Sequence, residues 1–173
     1  MCTGTIGFDE DVLREGNGIA NIAVSKQAKD AGAKRMVYVS VSDIVPQALG
    51  NVGPFPTYFQ GKKDATNAVL NDFGKDYSYF IKPSFIYGGD VFTLNPPRVA
   101  DFYGKFIDSL LSTPPVRAFA GVSPPLLKVA LVPPVSVDHI AQATAASALG
   151  LVEAGSYDGS DQINEVAKKI GHF

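Results

Sequence analysis

The feature that most constrains the fold is an order of segments that occurs twice along the chain. In the first unit, apolar residues recur at helical spacing from Asn17 to Ala31, Gly32 stands where a helix would end, and the apolar run 36–39 has the β-branched and aromatic residues of a buried strand. A second unit repeats this order, with a helix at 58–73 and a strand at 77–82. This alternation predicts a parallel α/β sheet.

The second half of the chain follows a different rhythm. An amphipathic helix is predicted from Val99 to Leu111, a further helix at 138–149, and a short last helix at 161–170. The segment 46–56, rich in Gly and Pro, is predicted to be a loop. The proline-rich stretch 118–134 has no pattern that favours one type of element.

Composition sets limits on function. The 173 residues suffice for one domain, and a content of 46% hydrophobic and 18% charged residues is typical of globular proteins. The net charge of -2 argues against nucleic acid as a partner. One cysteine and two histidines predict neither a disulfide framework nor a metal site. The longest apolar stretch, 129–137, is broken by two prolines and is too short to span a membrane.

One spacing points to chemistry. Tyr58 and Lys62 form a Y-x-x-x-K at the start of the second predicted helix. Residues four apart share a helix face, so the ammonium group is expected near the phenol. A nearby cation favours phenolate and lowers the pKa of tyrosine, which suits a general acid or base. The same spacing is common by chance in helices without any catalytic role.

Four segments of the chain carry a resemblance to one family. They are Asn17-Gly18-Ile19-Ala20-Asn21, the strand Lys34-Arg35-Met36-Val37-Tyr38-Val39-Ser40, the Tyr58 to Lys62 motif, and Lys82-Pro83-Ser84-Phe85-Ile86-Tyr87-Gly88. In this order they resemble the atypical and extended short-chain dehydrogenases. The resemblance is strongest to the branch that contains the dehydrogenase-like accessory subunit of respiratory complex I and related mitochondrial and plastid proteins. A helix start of the form V-x-D-V-A in that family is also similar to Val137-Asp138-His139-Ile140-Ala141.

The resemblance implies an α/β fold, the C-terminal half of a Rossmann-type doubly wound parallel sheet with a small C-terminal cap. Residues 1–150 would form a partial NAD(P)-binding domain and residues 151–173 the cap. Tyr58 and Lys62 would be catalytic, with Lys62 lowering the pKa of Tyr58. The cofactor, NAD or NADP, would contact both of these residues and the loop formed by Pro83, Ser84, Phe85 and Ile86.

The chain departs from the family pattern in two places. The glycine-rich phosphate loop, G-x-x-G-x-x-G, is absent, and Gly4-Thr5-Ile6-Gly7 does not replace it. That segment resembles instead the loop after the fourth strand, with Met1-Cys2 as the end of that strand and its edge covered by residues outside this sequence. This chain alone is therefore expected to bind no dinucleotide tightly. The position of the catalytic Ser or Thr falls on Val41, between Ser40 and Ser42.

Two functions remain open. The first is an NAD(P)-dependent oxidoreductase, or a catalytically degenerate relative that binds the nucleotide. The second is a non-catalytic accessory subunit of an organellar membrane complex, respiratory or photosynthetic, with other subunits as partners. Either would place the protein in a chloroplast or mitochondrion, soluble or peripheral to a membrane. The apolar stripe of the 99–111 helix is expected to pack on the domain, and its alternative role is contact with a partner or a membrane surface.

Overall fold

The computed structural model describes residues 1–88, 93–94, 97–98, 101–117 and 124–170, and the elements below lie within them. The helices are α1 (Glu10–Arg14), α2 (Ala20–Asp30), α3 (Ile44–Leu49), α4 (Phe55–Phe73), α5 (Asp101–Leu111), α6 (Pro125–Ala130), α7 (Val137–Leu149) and α8 (Gly159–Ala167), with 3-10 turns at Lys75–Tyr77 and Lys168–Ile170. The strands are β1 (Met36–Val39), β2 (Ser78–Lys82), β3 (Ile86–Tyr87), β4 (Thr93–Leu94), β5 (Pro97–Arg98), β6 (Val135–Ser136) and β7 (Gly155–Asp158).

The fold is mixed α/β, as the sequence predicts, and its sheets are small. The main sheet has three parallel strands in the order β1-β2-β7. Strand β3 pairs with β6 in parallel, and β4 pairs with β5 in antiparallel orientation. Both strands predicted from apolar runs, 36–39 and 77–82, are thus neighbours in one sheet.

Helices cover both faces of the main sheet. Alternate residues of the strands point to opposite faces, so Tyr38 packs against the α4 side while Val39 packs against the α7 and α8 side. Because both faces are buried, β1 is apolar at every position. The α4 side is formed by Met36, Tyr38, Ala65, Val69, Phe73 and Phe80, and the other side includes Val37, Val39, Tyr79, Ile81, Ile140, Ala143, Ala146 and Ile163.

The first helical region begins earlier than predicted. The Asp9 side chain accepts hydrogen bonds from the backbone of Asp11 and Val12, which fixes the start of α1 at Glu10. Helix α1 continues through a π-helical segment at Glu15–Ile19 into α2. Asn17 therefore lies inside the helical region and does not open it, because Asp9 supplies the cap.

The segment 46–56 is a loop only in its middle part, at 50–54. Helix α3 spans Ile44–Leu49, and Pro46 lies in its first turn, where the missing N–H costs no hydrogen bond. Helix α4 then starts at Phe55, three residues before Tyr58. The loop prediction was wrong at the two ends of the segment because proline is compatible with the first turn of a helix.

The segment 151–170 contributes to the main sheet and its core. Strand β7 pairs in parallel with β2, from Tyr79 opposite Gly155 to Lys82 opposite Asp158. Ile163 of α8 is fully buried in the core cluster. The sequence placed this segment in a separate cap because β7, Gly-Ser-Tyr-Asp, lacks the apolar run of a central strand.

The first residue of the chain runs beside β1. The backbone nitrogen of Met1 donates to Val37 O at 2.6 Å, and Val39 N donates to Met1 O at 2.9 Å. Residues 1–6 nevertheless contain no assigned strand. The expected strand at Met1-Cys2 is therefore present only as this one pair of backbone contacts.

Helix α5 presents part of its apolar stripe outward. Phe106 and Leu110, one turn apart, are exposed, whereas Gly104 is buried against the Tyr87 side chain. The sequence predicted that the whole stripe packs on the domain. This expectation does not hold for Phe106 and Leu110, because their side chains are exposed among the described residues. Residues 99–100 of the predicted helix lie outside the described ones. Within the described part of the chain, no helix is both long and apolar enough to cross a membrane.

Candidate functional site

A cavity of about 300 Å³ opens at the carboxyl ends of β1 and β2. In parallel sheets these ends are where ligands bind, because the loops that follow neighbouring strands meet there. All six residues singled out from the sequence line this one cavity. They are Tyr58, Lys62, Pro83, Ser84, Phe85 and Ile86.

A close helix contact brings Tyr58 and Lys62 to this position. A Cβ atom on Gly61 would lie 3.0 Å from Gly18 N and 3.1 Å from the Asn17 Cβ atom. Because glycine has no Cβ atom, α4 approaches the π-helical segment without displacing these atoms. Gly61 directly precedes Lys62, so this contact places Lys62 next to the first helical region.

Lys62 is the buried cation of the cavity. The residue is 6% exposed, and its Nζ donates to Thr3 O at 3.2 Å. The same nitrogen lies 5.4 Å from the centre of the Tyr38 ring and 5.8 Å from that of the Tyr58 ring. No carboxylate of the described residues forms an ion pair with it. Burial of the uncompensated charge lowers the pKa of Lys62 to about 8.

The pKa of Tyr58 moves in the direction opposite to the one predicted. Burial raises the pKa of Tyr58 to about 12. The expected lowering depended on the cation of Lys62, whose Nζ lies 5.8 Å from the centre of the Tyr58 ring. Burial disfavours the charged phenolate and decides the direction of the shift. Tyr58 is therefore a neutral phenol at neutral pH and a weaker acid than an ordinary tyrosine.

The chain segment 3–6 closes another side of the cavity and is held by buried amides. Asn17 Oδ1 accepts from Thr5 N at 3.2 Å, and Asn17 Nδ2 donates to Thr5 O at 2.8 Å and to Leu13 O at 3.0 Å. Asn21 Nδ2 donates to Thr3 O at 3.2 Å. Together with Lys62, these side chains fix the backbone of the segment as a wall of the site.

The residues after β1 put one hydroxyl in the cavity. Ser40 and Val41 both line it, whereas Ser42 is buried outside it. The Ser42 backbone nitrogen donates to Pro83 O at 3.0 Å, which ties the end of β1 to the loop after β2. Ser40 is thus the hydroxyl available beside Val41.

The 83–86 loop is held by backbone contacts to the segment before α7. Val135 N donates to Phe85 O at 2.8 Å, and Ser84 Oγ donates to Pro133 O at 3.2 Å. The Phe85 side chain is about half exposed at the mouth of the cavity. The loop therefore presents apolar surface to the cavity while its polar groups bond elsewhere.

Sequence reasoning missed Thr3 and the role of Asn17. Thr3 contributes through a backbone oxygen, which leaves no signal in the sequence. The sequence did mark Asn17, but as the first residue of a predicted helix. Its burial and its bonds to Thr5 depend on how the first helical region packs on α4.

Comparisons with known proteins give one relative to report. The chain is 29% identical over 176 residues to an uncharacterised chloroplastic protein of Arabidopsis thaliana, in an alignment that covers 95% of this chain and 54% of that protein. The chain thus spans about half the length of this relative. No protein-family model and no solved structure matches the chain.

Proposed function

We propose that this chain is of the short-chain dehydrogenase type and supplies the nicotinamide side of an NAD(P) site. The observation that carries the proposal is the convergence of Tyr58, Lys62 and the 83–86 loop on one cavity at the carboxyl ends of β1 and β2. The parallel strand order and the helices on both sheet faces support a Rossmann-type fold, of which this chain would be the C-terminal half.

The cavity fits one half of the cofactor. Its apolar walls, including Val41, Phe85 and Ile86, suit a nicotinamide ring, and the Lys62 ammonium suits a ribose hydroxyl. The sequence has no G-x-x-G-x-x-G for the pyrophosphate. We propose that this cradle belongs to another segment of a longer protein, and the greater length of the Arabidopsis relative supports this.

The residues present favour proton donation to a carbonyl oxygen. When bound, the nicotinamide would supply or accept a hydride. Tyr58, a neutral phenol at physiological pH, would donate its phenolic proton to the substrate oxygen during reduction. Ser40 would offer a hydroxyl to the same oxygen, since Val41 cannot. Lys62 would orient the ribose and so hold the ring in place.

The relative supports a proposal about the compartment. The Arabidopsis protein is described as chloroplastic. We propose the same organelle for this chain, in the soluble phase or at a membrane surface.

Saturation-transfer NMR with NADH tests the proposed site. The nicotinamide protons should receive more saturation from the protein than the adenine protons, because this chain contacts only the nicotinamide side. Phe85→Ala should weaken the nicotinamide signal. Because the Phe85 side chain is about half exposed, its truncation should leave the fold intact. Phe8→Ala, at a site 93% exposed and away from the cavity, is the matched control. Equal signals from both ends of NADH, unchanged in Phe85→Ala, would contradict the proposal.

Affinity gives a second test. Titration calorimetry of the 173-residue chain with NADH and with NADPH should give no binding in the micromolar range, because the pyrophosphate cradle is lacking. Micromolar binding would show that a different segment of this chain holds the phosphates.

A second candidate is the accessory subunit of an organellar membrane complex. The exposed pair Phe106 and Leu110 favours it, because two large apolar side chains one helical turn apart form a contact surface. If this surface contacts a membrane, Phe106→Ser combined with Leu110→Ser should abolish cosedimentation of the chain with vesicles of galactolipid and phosphatidylglycerol. If the surface contacts a protein, the double variant should leave cosedimentation unchanged. The NADH signals described above separate this candidate from the first.

A further inference from the structure

A second cavity, of about 600 Å³, adjoins the first. The two share Ser40, Val41, Phe59 and Lys62 as wall residues. A molecule in the second cavity would therefore lie beside the Tyr58 site, separated from it only by these side chains. The sequence motifs account for the first cavity and leave the second without a role.

The second cavity concentrates positive charge. Three lysines and one carboxylate line it, although the protein as a whole has a net charge of -2. The charged residues are Lys62, Lys63, Lys82 and Asp43. A local excess of one sign against the sign of the whole protein is a feature that selects ligands by charge.

Only one of these lysines is neutralised by the protein. Lys82 Nζ lies 2.9 Å from both carboxylate oxygens of Asp43. Neither Lys62 nor Lys63 has a carboxylate partner within 4.0 Å among the described residues. Lys62 is 6% exposed, and a buried cation without a counter-ion is costly. An anion in the cavity would relieve that cost.

Neutral polar groups complete the walls. Ser40 and Asn51 face the cavity and can hydrogen-bond to a small polar molecule. Asn51 and Lys63 are exposed, so the cavity is reached from solvent. A polar, cationic and accessible cavity next to an apolar one is the arrangement expected for a substrate beside a nicotinamide ring.

We propose that the second cavity binds the charged end of a small organic anion, a carboxylate or a phosphate, whose carbonyl group extends into the first cavity toward Tyr58. The identification of this anion as the substrate rests on the function proposed above. Its binding does not, because the charges and walls of the cavity belong to this chain alone.

The test uses 2-oxoglutarate as the carboxylate probe, its neutral dimethyl ester, and inorganic phosphate, each titrated into the nucleotide-free protein. We expect 2-oxoglutarate or phosphate to bind and the ester to bind roughly 10-fold more weakly or not at all. The probe that binds more tightly identifies the anionic group as carboxylate or phosphate. Raising the ionic strength should weaken binding of the anion and leave the ester unaffected.

Two variants with opposite expected effects locate the site. Lys63→Gln should weaken anion binding roughly 3- to 10-fold, because it removes an unpaired cation from the wall. Asp43→Asn should strengthen it roughly 2- to 5-fold, because it removes the one carboxylate and frees Lys82. Lys34→Gln, an exposed lysine outside the cavity, has the same charge change as Lys63→Gln and should have little effect.

The proposal is overturned if no anion binds, if the ester binds as well as the acid, or if binding is the same in Lys63→Gln and Asp43→Asn. The NADH experiment is independent of these titrations. Anion binding without any NADH signal would support the anion site and contradict the proposed function. An NADH signal without anion binding would support the proposed function and contradict the anion site.

Discussion

The side-chain amide of Asn17 bonds both backbone groups of Thr5, accepting from its N–H at 3.2 Å and donating to its C=O at 2.8 Å. Such a pair of bonds substitutes for a strand partner and fixes the segment that closes one side of the cavity. Asn17 is fully buried, so the groups it satisfies have no water to replace it.

Asn17→Leu should therefore lower the free energy of unfolding by about 3 kcal/mol, since it leaves buried backbone groups without partners. Urea unfolding followed by circular dichroism measures this. Asn67→Leu, at an exposed position of α4, should change the free energy of unfolding by less than about 0.5 kcal/mol. Similar losses in the two variants would show that the Thr5 contacts contribute little.

The contact between Gly61 and Gly18 predicts that replacing Gly61 with alanine lowers the stability of the fold. In an ordinary helix interior, Gly→Ala stabilises by about 0.5–1 kcal/mol. Gly61→Ala should instead destabilise by about 1–3 kcal/mol, because the new methyl group meets Gly18 N and Asn17. Thermal unfolding gives the comparison. Gly7→Ala, which meets no atom within 4 Å, is the control and should be near neutral.

The lowered pKa of Lys62 predicts how stability depends on pH. The folded protein releases the Lys62 proton near pH 8, whereas the unfolded chain keeps it until its ordinary pKa of 10.5. The unfolded state binds more protons between these values, so stability should rise with pH there. Above about pH 10 the raised pKa of Tyr58 acts in the opposite sense, which limits the useful window to pH 8–10.

Lys62→Met should remove this rise. Between pH 7 and pH 10 the free energy of unfolding of the native protein should rise by on the order of 2 kcal/mol, and that of the variant should not. Lys63→Met, at the exposed neighbouring position, should keep the native pH dependence. Parallel native and Lys62→Met profiles, measured by urea unfolding across this range, would be inconsistent with a lowered pKa.

The core position of Ile163 tests whether the C-terminal segment is part of the main fold. Ile163 is fully buried against the sheet, so Ile163→Ala should cost about 3 kcal/mol of unfolding free energy in a single cooperative transition. Ile19→Ala, at an exposed position, should cost far less. If 151–170 were a separate cap, Ile163→Ala would instead produce a second, earlier transition.

The elements that depend on local pattern could be predicted from the residues alone. The strands 36–39 and 77–82 and the long helix that carries Tyr58 and Lys62 follow from apolar periodicity, because a buried strand or helix face must be apolar wherever it packs. The grouping of Tyr58 with Lys62 on one face also follows, since it depends only on a spacing of four. Strand β7 could not be predicted in this way, because its sequence Gly-Ser-Tyr-Asp has no apolar pattern that would indicate its pairing with β2.

The environment of those residues depends on tertiary packing. Gly18 and Gly61 allow two distant segments to touch, and Lys62 is buried beside this contact. Burial then lowers the pKa of Lys62 and raises that of Tyr58, the latter against the direction expected from the spacing. Asn17 acts on Thr5 for the same reason. Solvation depends on everything that surrounds a group, and most of what surrounds these groups is far away in the sequence.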